Sequence, residues 1–245
     1  MAFRRKSHKR RYKRPAFSKR QAKAIQAIAA KPVETKHFPY YAPLVTYLND
    51  SGYVSGPNFI FFRNIYSPIP REDNTLTKSE TTFIGNEIQS RGFRWECHFY
   101  TVATQPGSAL DIQFRYTLFS ISTYFNGTAG IGPADPFFFD IDHDTTPTWS
   151  KWNTQNVHIY QQRTFRLDNN GNLNAMTKKK YYQPLRRKIT SVLDASLVTN
   201  SFMREIKNKQ VYWALECFAP GFLVGADLKT YINGSIDTNV YFKDA

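Results

Sequence analysis

Between Phe93 and Tyr100 apolar and polar residues alternate without a break. Phe93, Trp95, Cys97 and Phe99 fall on one side, and Arg94, Glu96, His98 and Tyr100 on the other. A period of two is the signature of a half-buried strand, because successive side chains on extended backbone point to opposite faces. The same phase runs through Asp111–Thr123 at Ile112, Phe114, Tyr116 and Leu118, and through Asn156–Leu167 at Val157, Ile159, Phe165 and Leu167. Adding Asn58–Tyr66, Glu87–Val102 (which holds the first pattern), Lys179–Val192, Phe202–Lys207, Val211–Phe218 and Lys229–Phe242 gives eight candidate strands. Twenty Phe and fifteen Tyr in 245 residues suit pleated, half-buried surfaces. A parallel sheet would need crossover helices, and the connections here lack helical periodicity. The pattern therefore predicts an all-β body: a single eight-stranded antiparallel jelly roll, a β-sandwich of two sheets. An immunoglobulin-like sandwich is the alternative, but it is shorter and usually carries a Cys…Trp…Cys pattern. The lead-in at 38–57, broken by Pro39, Pro43, Gly52, Gly56 and Pro57, reads as loop and edge structure.

The first 36 residues are of another kind. Arg4–Arg14 reads RRKSHKRRYKR, with eight Lys/Arg in eleven positions. Up to Lys36 there are thirteen Lys/Arg and one acid, Glu34, so the arm carries +12 of the chain's +14. Residues 37–245 hold 20 bases against 18 acids. Dense like charge with little apolar surface cannot offset the entropy of ordering, so the arm is expected to be disordered and to seek a polyanion. Arg4, Arg5, Lys6, Lys9, Arg10, Arg11, Lys13, Arg14, Lys19 and Arg20 are its candidate nucleic-acid contacts, gaining affinity by releasing counterions from phosphates. Phe3, Tyr12 and Phe17 could stack on unpaired bases. The same composition serves as a nuclear-localisation signal read by an import receptor. A membrane-surface helix would need bulky apolar residues opposite the charges, and residues 4–14 offer only Tyr12. Residues 18–30, SKRQAKAIQAIAA, read as a marginal helix that Pro32 ends.

Other classes find little support. Cys97 and Cys217 lie far apart in apolar runs and read as buried free thiols. No run of 18 apolar residues suggests membrane insertion, and the basic N-terminus lacks a secretory apolar region. Asn126-Gly127 and Asn233-Gly234 read as turns rather than glycan acceptors. Asp140-Ile-Asp142-His143-Asp144 resembles the start of a calcium loop, but Thr145 replaces the required Gly and Lys151 stands where a bidentate Glu belongs. There is no paired zinc spacing, phosphate-cradling loop or nucleophile elbow. The chain is read as a non-enzyme without cofactor or metal.

The order of features resembles a known family. A basic arm precedes a body of about 200 residues with eight β segments. Phe83–Phe99 (FIGNEIQSRGFRWECHF), Asn156–Gly171 (NVHIYQQRTFRLDNNG), the basic YYQPLRRKI and the ending NVYFKDA are similar to segments of capsid proteins of circovirus-like, Rep-encoding circular single-stranded DNA (CRESS-DNA) viruses. The resemblance implies an icosahedral T=1 shell of about sixty copies with inward arms. Such arms would neutralise about 700 phosphates of a packaged single-stranded DNA genome, at one charge per contact. It also implies a virion that visits the host nucleus, an import receptor and a host-cell attachment receptor.

The family's genome exceeds what the arms can neutralise, so a second basic surface is expected. Lys178, Lys179, Lys180, Arg186, Arg187 and Lys188 flank Tyr181 and Tyr182. In an extended strand Lys180, Tyr182, Arg186 and Lys188 share one face, with Arg187 opposite. That face reads as an inner wall, or as a strand edge kept soluble by charge. Arg91, Arg94 and Arg115 are further wall candidates. Loops at 71–82, 124–150 and 168–177 are candidates for the outward side. Two further readings stand beside the coat: a ribosomal or chromatin-type nucleic-acid-binding β-domain with a basic tail, and a glycan-binding jelly roll.

Overall fold

The computed structural model describes residues 35–46, 52–55, 58–70, 81–83, 87–102, 112–121, 136–140, 151–167, 175–190, 210–218 and 232–244. Residues 1–34 of the basic arm with its ten candidate contacts, the helix expected at 18–30, the segment Phe202–Lys207, Asn126 and most of the three candidate loops lie outside the described residues.

The described strands are β1 (Lys36–Pro43), β2 (Gly52–Ser55), β3 (Asn58–Asn64), β4 (Glu87–Thr101), β5 (Ile112–Ile121), β6 (Val157–Leu167), β7 (Met176–Thr190), β8 (Gln210–Phe218) and β9 (Ile232–Asp244). They form two antiparallel sheets, one of four strands ordered β1-β9-β4-β7 and one of five ordered β2-β3-β8-β5-β6. The pairs β1–β9, β3–β8, β4–β7 and β5–β6 are nested one inside the next in sequence. A long hairpin, rolled so that β9 also meets β4 and β8 also meets β5, is the jelly-roll topology. The eight roll strands are thus present, and β2 extends the five-stranded sheet as a hairpin partner of β3.

Two sequence expectations need correction. The lead-in at 38–57 is not simply loop: it holds β1, the roll's first strand, and β2. Pro39 and Pro43 are tolerated because β1 is an edge strand paired only with β9. Asn233-Gly234 is not a turn. It lies inside β9, where Gly234 faces Phe99 of β4. Gly234 has φ +151°, and a Cβ there would meet the His98 carbonyl oxygen at 2.1 Å, so only glycine permits this approach.

The alternation read from the sequence builds the core. Trp95, Cys97 and Phe99 of β4 face Phe114 and Tyr116 of β5 across the sandwich. Trp95 lies 4.6 Å from Tyr116 and stacks on Tyr181 at 5.8 Å, while Phe99 lies 4.9 Å from Phe114. Both thiols are buried and free, and burial pushes the Cys97 thiol up to about 12. A second apolar cluster lies on the far side of the five-stranded sheet. There Ile60, Phe62, Phe119 and Tyr212 are covered by Phe138, Phe139 and Trp152. An isolated bridge between Phe139 and Trp152 and the Lys151–Asp140 ion pair at 3.3 Å close this cover. Lys151 therefore neutralises the first acid of the calcium-like run.

Candidate nucleic-acid interface

The outer face of the four-stranded sheet carries exposed residues, most clearly along β7. Along β7 exposure alternates: Met176, Lys178, Lys180, Tyr182, Pro184, Arg186 and Lys188 are exposed, while Thr177, Leu185 and Ile189 are buried. Lys180, Tyr182, Arg186 and Lys188 thus share the outer face of the four-stranded sheet, as the period of two requires. Arg187 points the other way, its guanidinium 4.8 Å from the Tyr160 ring.

The neighbouring strands extend this face. From β4 it receives Glu87, Gln89, Arg91, Arg94, Glu96, His98 and Tyr100, and from β9 Asp237, Asn239, Tyr241 and Lys243. Seven bases therefore meet three acids (Glu87, Glu96 and Asp237). Two of the bases are committed: Lys178 pairs with Glu96 at 3.1 Å and Lys188 with Glu87 at 2.7 Å. Lys180 and Arg186 make no ion pair among the described residues. Lys178 holds the Glu96 carboxyl below the ordinary carboxylate range. Asp237, directly opposite Glu96, is shifted upward, first by burial and then by the Glu96 charge.

Tyr182 is 53% exposed. Its phenol end rests on Gly92, where an added Cβ would lie 2.3 Å from the hydroxyl oxygen. Tyr241 meets it edge-to-face at 6.1 Å. An exposed ring flanked by bases can stack on an unpaired base while the cations meet phosphates.

The structure sorts the three secondary arginines. Arg91 and Arg94 lie on this face. Arg115 does not: it is buried on the opposite sheet in a bidentate pair with Glu216, beside Trp152 at 6.0 Å. Burial raises the Glu216 carboxyl and Arg115 opposes that shift. Arg115 is withdrawn as a wall contact. Sequence reasoning missed Gly92, Tyr241, Asn239 and Lys243, which join the face only through strand register.

Lys36, counted above with the arm, opens β1, and its Nζ lies 2.6 Å from Asp244 and 3.1 Å from the Thr82 carbonyl. Among the described residues no group of three His, Cys, Asp or Glu could hold a metal ion. No helix among them is long and apolar enough to cross a membrane.

No protein-family model matches the chain, and no curated protein matches it. Among solved structures it is similar to one of desmodium yellow mottle tymovirus, with TM-score 0.33 and 9% identity over 87% of this chain and 89% of that one. It is also similar to Trichodysplasia spinulosa-associated polyomavirus VP1 in complex with GM1 oligosaccharide, at TM-score 0.23 and 10% identity over 86% and 93%. Merkel cell polyomavirus VP1 in complex with 3'-sialyllactosamine follows at TM-score 0.20 and 11% identity over 85% and 94%. These overlaps are shallow, and the jelly-roll assignment rests on strand order.

Proposed function

We propose that this chain is a viral coat subunit that self-assembles into a closed icosahedral shell and packages nucleic acid through residues 1–36 and the outer face of the four-stranded sheet. The observation that carries the reading is the joining in one chain of a +12 arm and a jelly roll whose four-stranded sheet has a basic outer face. Counterion release makes both elements phosphate binders, and jelly rolls commonly build capsids. The resemblance to CRESS-DNA capsid proteins makes the cargo circular single-stranded DNA, the shell T=1 with about sixty copies, and the arm also the signal for host nuclear import. Attachment to a host-cell receptor falls to loops outside the described residues.

The test is electron microscopy of purified full-length protein, with absorbance read on the same sample. Uniform closed particles with a raised 260 nm signal are expected, and nuclease treatment of the extracted cargo identifies it as DNA or RNA. Only small species, at near-physiological salt with nucleic acid supplied, would refute the coat reading and favour a nucleic-acid-binding module.

A further inference from the structure

Asn239, Arg94 and Tyr182 stand in one row across β9, β4 and β7, each opposite the next in register. Asn239 is only 7% exposed although it belongs to the open face. Among the described residues its Oδ1 is buried without a hydrogen-bond partner, and so is Nε of Arg94, its cross-strand partner. A buried polar atom without a partner costs stability and calls for an explanation. Here an orphaned acceptor and an orphaned donor belong to residues paired in register, next to an exposed aromatic ring held down on Gly92.

We propose that this row is a seat for one unpaired nucleobase, stacked on Tyr182 with its hydrogen-bonding edge turned to Asn239 and Arg94. The seat deepens the packaging reading and rests on it. A phosphate carries only acceptors at neutral pH and cannot satisfy Asn239 Oδ1. A base edge offers a donor beside an acceptor, which is what the two orphaned atoms require. Stacking is available to every base, since each has a π face. The wall therefore contacts bases as well as backbone, and it takes single strands, because a duplex keeps its base faces stacked and its pairing edges occupied.

The test uses the full chain with two fluorescent 20-mers of equal charge, one of mixed sequence and one abasic. Wild type binds the base-bearing strand at least about threefold more tightly than the abasic strand. Ultraviolet cross-linking of the base-bearing strand places an adduct on Tyr182, in the tryptic peptide 181–186. Arg94→Lys keeps the charge but removes Nε, and Asn239→Leu removes the acceptor. Each lowers the base-over-abasic ratio and the Tyr182 adduct. Two substitutions on different strands guard against one of them failing to fold. If both variants keep the wild-type ratio and adduct, the seat is refuted. In that case a raised urea midpoint in Asn239→Leu would show that the amide held only water. If wild type binds both strands equally with no adduct at Tyr182, the seat falls and phosphate binding stands. If neither strand binds, the packaging reading falls and the seat with it.

Discussion

The proposed phosphate contacts of the four-stranded sheet's outer face can be tested and counted by salt dependence. On single strands each phosphate contact steepens the fall of log affinity with log salt by about 0.7. Lys180 and Arg186 make no ion pair among the described residues, whereas Lys178 is held by Glu96 at 3.1 Å. Lys180→Gln with Arg186→Gln should therefore flatten the slope by about 1.4. Between about 50 and 200 mM salt, that makes the variant's loss of affinity about sevenfold smaller than wild type's. Lys178→Gln with Glu96→Gln also removes a lysine from β7, but it takes away a neutralised pair and leaves the face's net charge as it was. Its slope should match wild type. The assay is fluorescence anisotropy of the full chain with a fluorescent single-stranded 20-mer across a salt series. Both slopes carry the same large contribution from the arm, so their difference isolates the wall. An unchanged slope in Lys180→Gln/Arg186→Gln would mean that β7 does not touch phosphate. Equal flattening in the two variants would mean that the ion pair does not persist in solution.

Gly234→Ala would place Cβ 2.1 Å from the His98 carbonyl and 2.9 Å from Phe99 Cα, both rigid backbone, at φ +151°. A loss of about 3 kcal/mol or more is expected in urea unfolding, and a wild-type midpoint would refute the close approach. Glu216→Ala removes the carboxylate that Arg115 pairs with in the interior and should cost about 3–5 kcal/mol, whereas Arg115→Met with Glu216→Leu should recover much of that. A double variant no more stable than the single one would contradict the buried pair. Asp237 titrates above its ordinary value, so its ionised form costs stability: the gain is present at acid pH and is lost as pH rises through the raised value. Asp237→Asn should then be more stable than wild type at neutral pH and equal to it in acid, and thermal unfolding in the reverse order would refute the sign. Burial holds both thiols protonated, so a thiol reagent should find none in the native chain and two after denaturation.

What the sequence disclosed was whatever one strand shows by itself. The alternation in β4, the core face of β5, and the side of β7 that carries Lys180, Tyr182, Arg186 and Lys188 all follow from a period of two within a segment. β6 does not: its ladder slips at Tyr160, so Phe165 and Leu167 join the main core while Val157 and Ile159 join the cluster on the far side of the sheet. β1 was obscured by Pro39 and Pro43, which suit an edge strand as well as a loop. Arg115 misled because β5 is buried on both faces. The cover at 136–140 and 151–153 turns its second face into interior, and no pattern within Ile112–Ile121 announces that. The one available signal was Glu216, the sole charge in VYWALECF, which asks for a buried partner. The row of Asn239, Arg94 and Tyr182 was invisible for a different reason. It is made by register between strands far apart in the chain, and one-dimensional spacing carries no register.

The two meanings of the basic strand can be separated by where its charges point. Among the described residues β7 is an edge strand with a single partner, β4, and lysines on such a strand discourage pairing with other chains wherever they stand. Protection alone does not require the charges to gather on one face. Yet four of the six bases, Lys178, Lys180, Arg186 and Lys188, lie on the outer face, while Lys179 and Arg187 are on the other, where Arg187 stacks on Tyr160 at 4.8 Å. Protection does not require a half-exposed tyrosine seated on a glycine either. Acids from β4 bind Lys178 and Lys188, four residues or less from the ends of β7. Lys180 and Arg186 are left on either side of Tyr182. A face that neutralises its ends and leaves cations around an aromatic ring suits the proposed contact with phosphates and bases better than edge protection alone, and the same lysines guard the edge at no further cost.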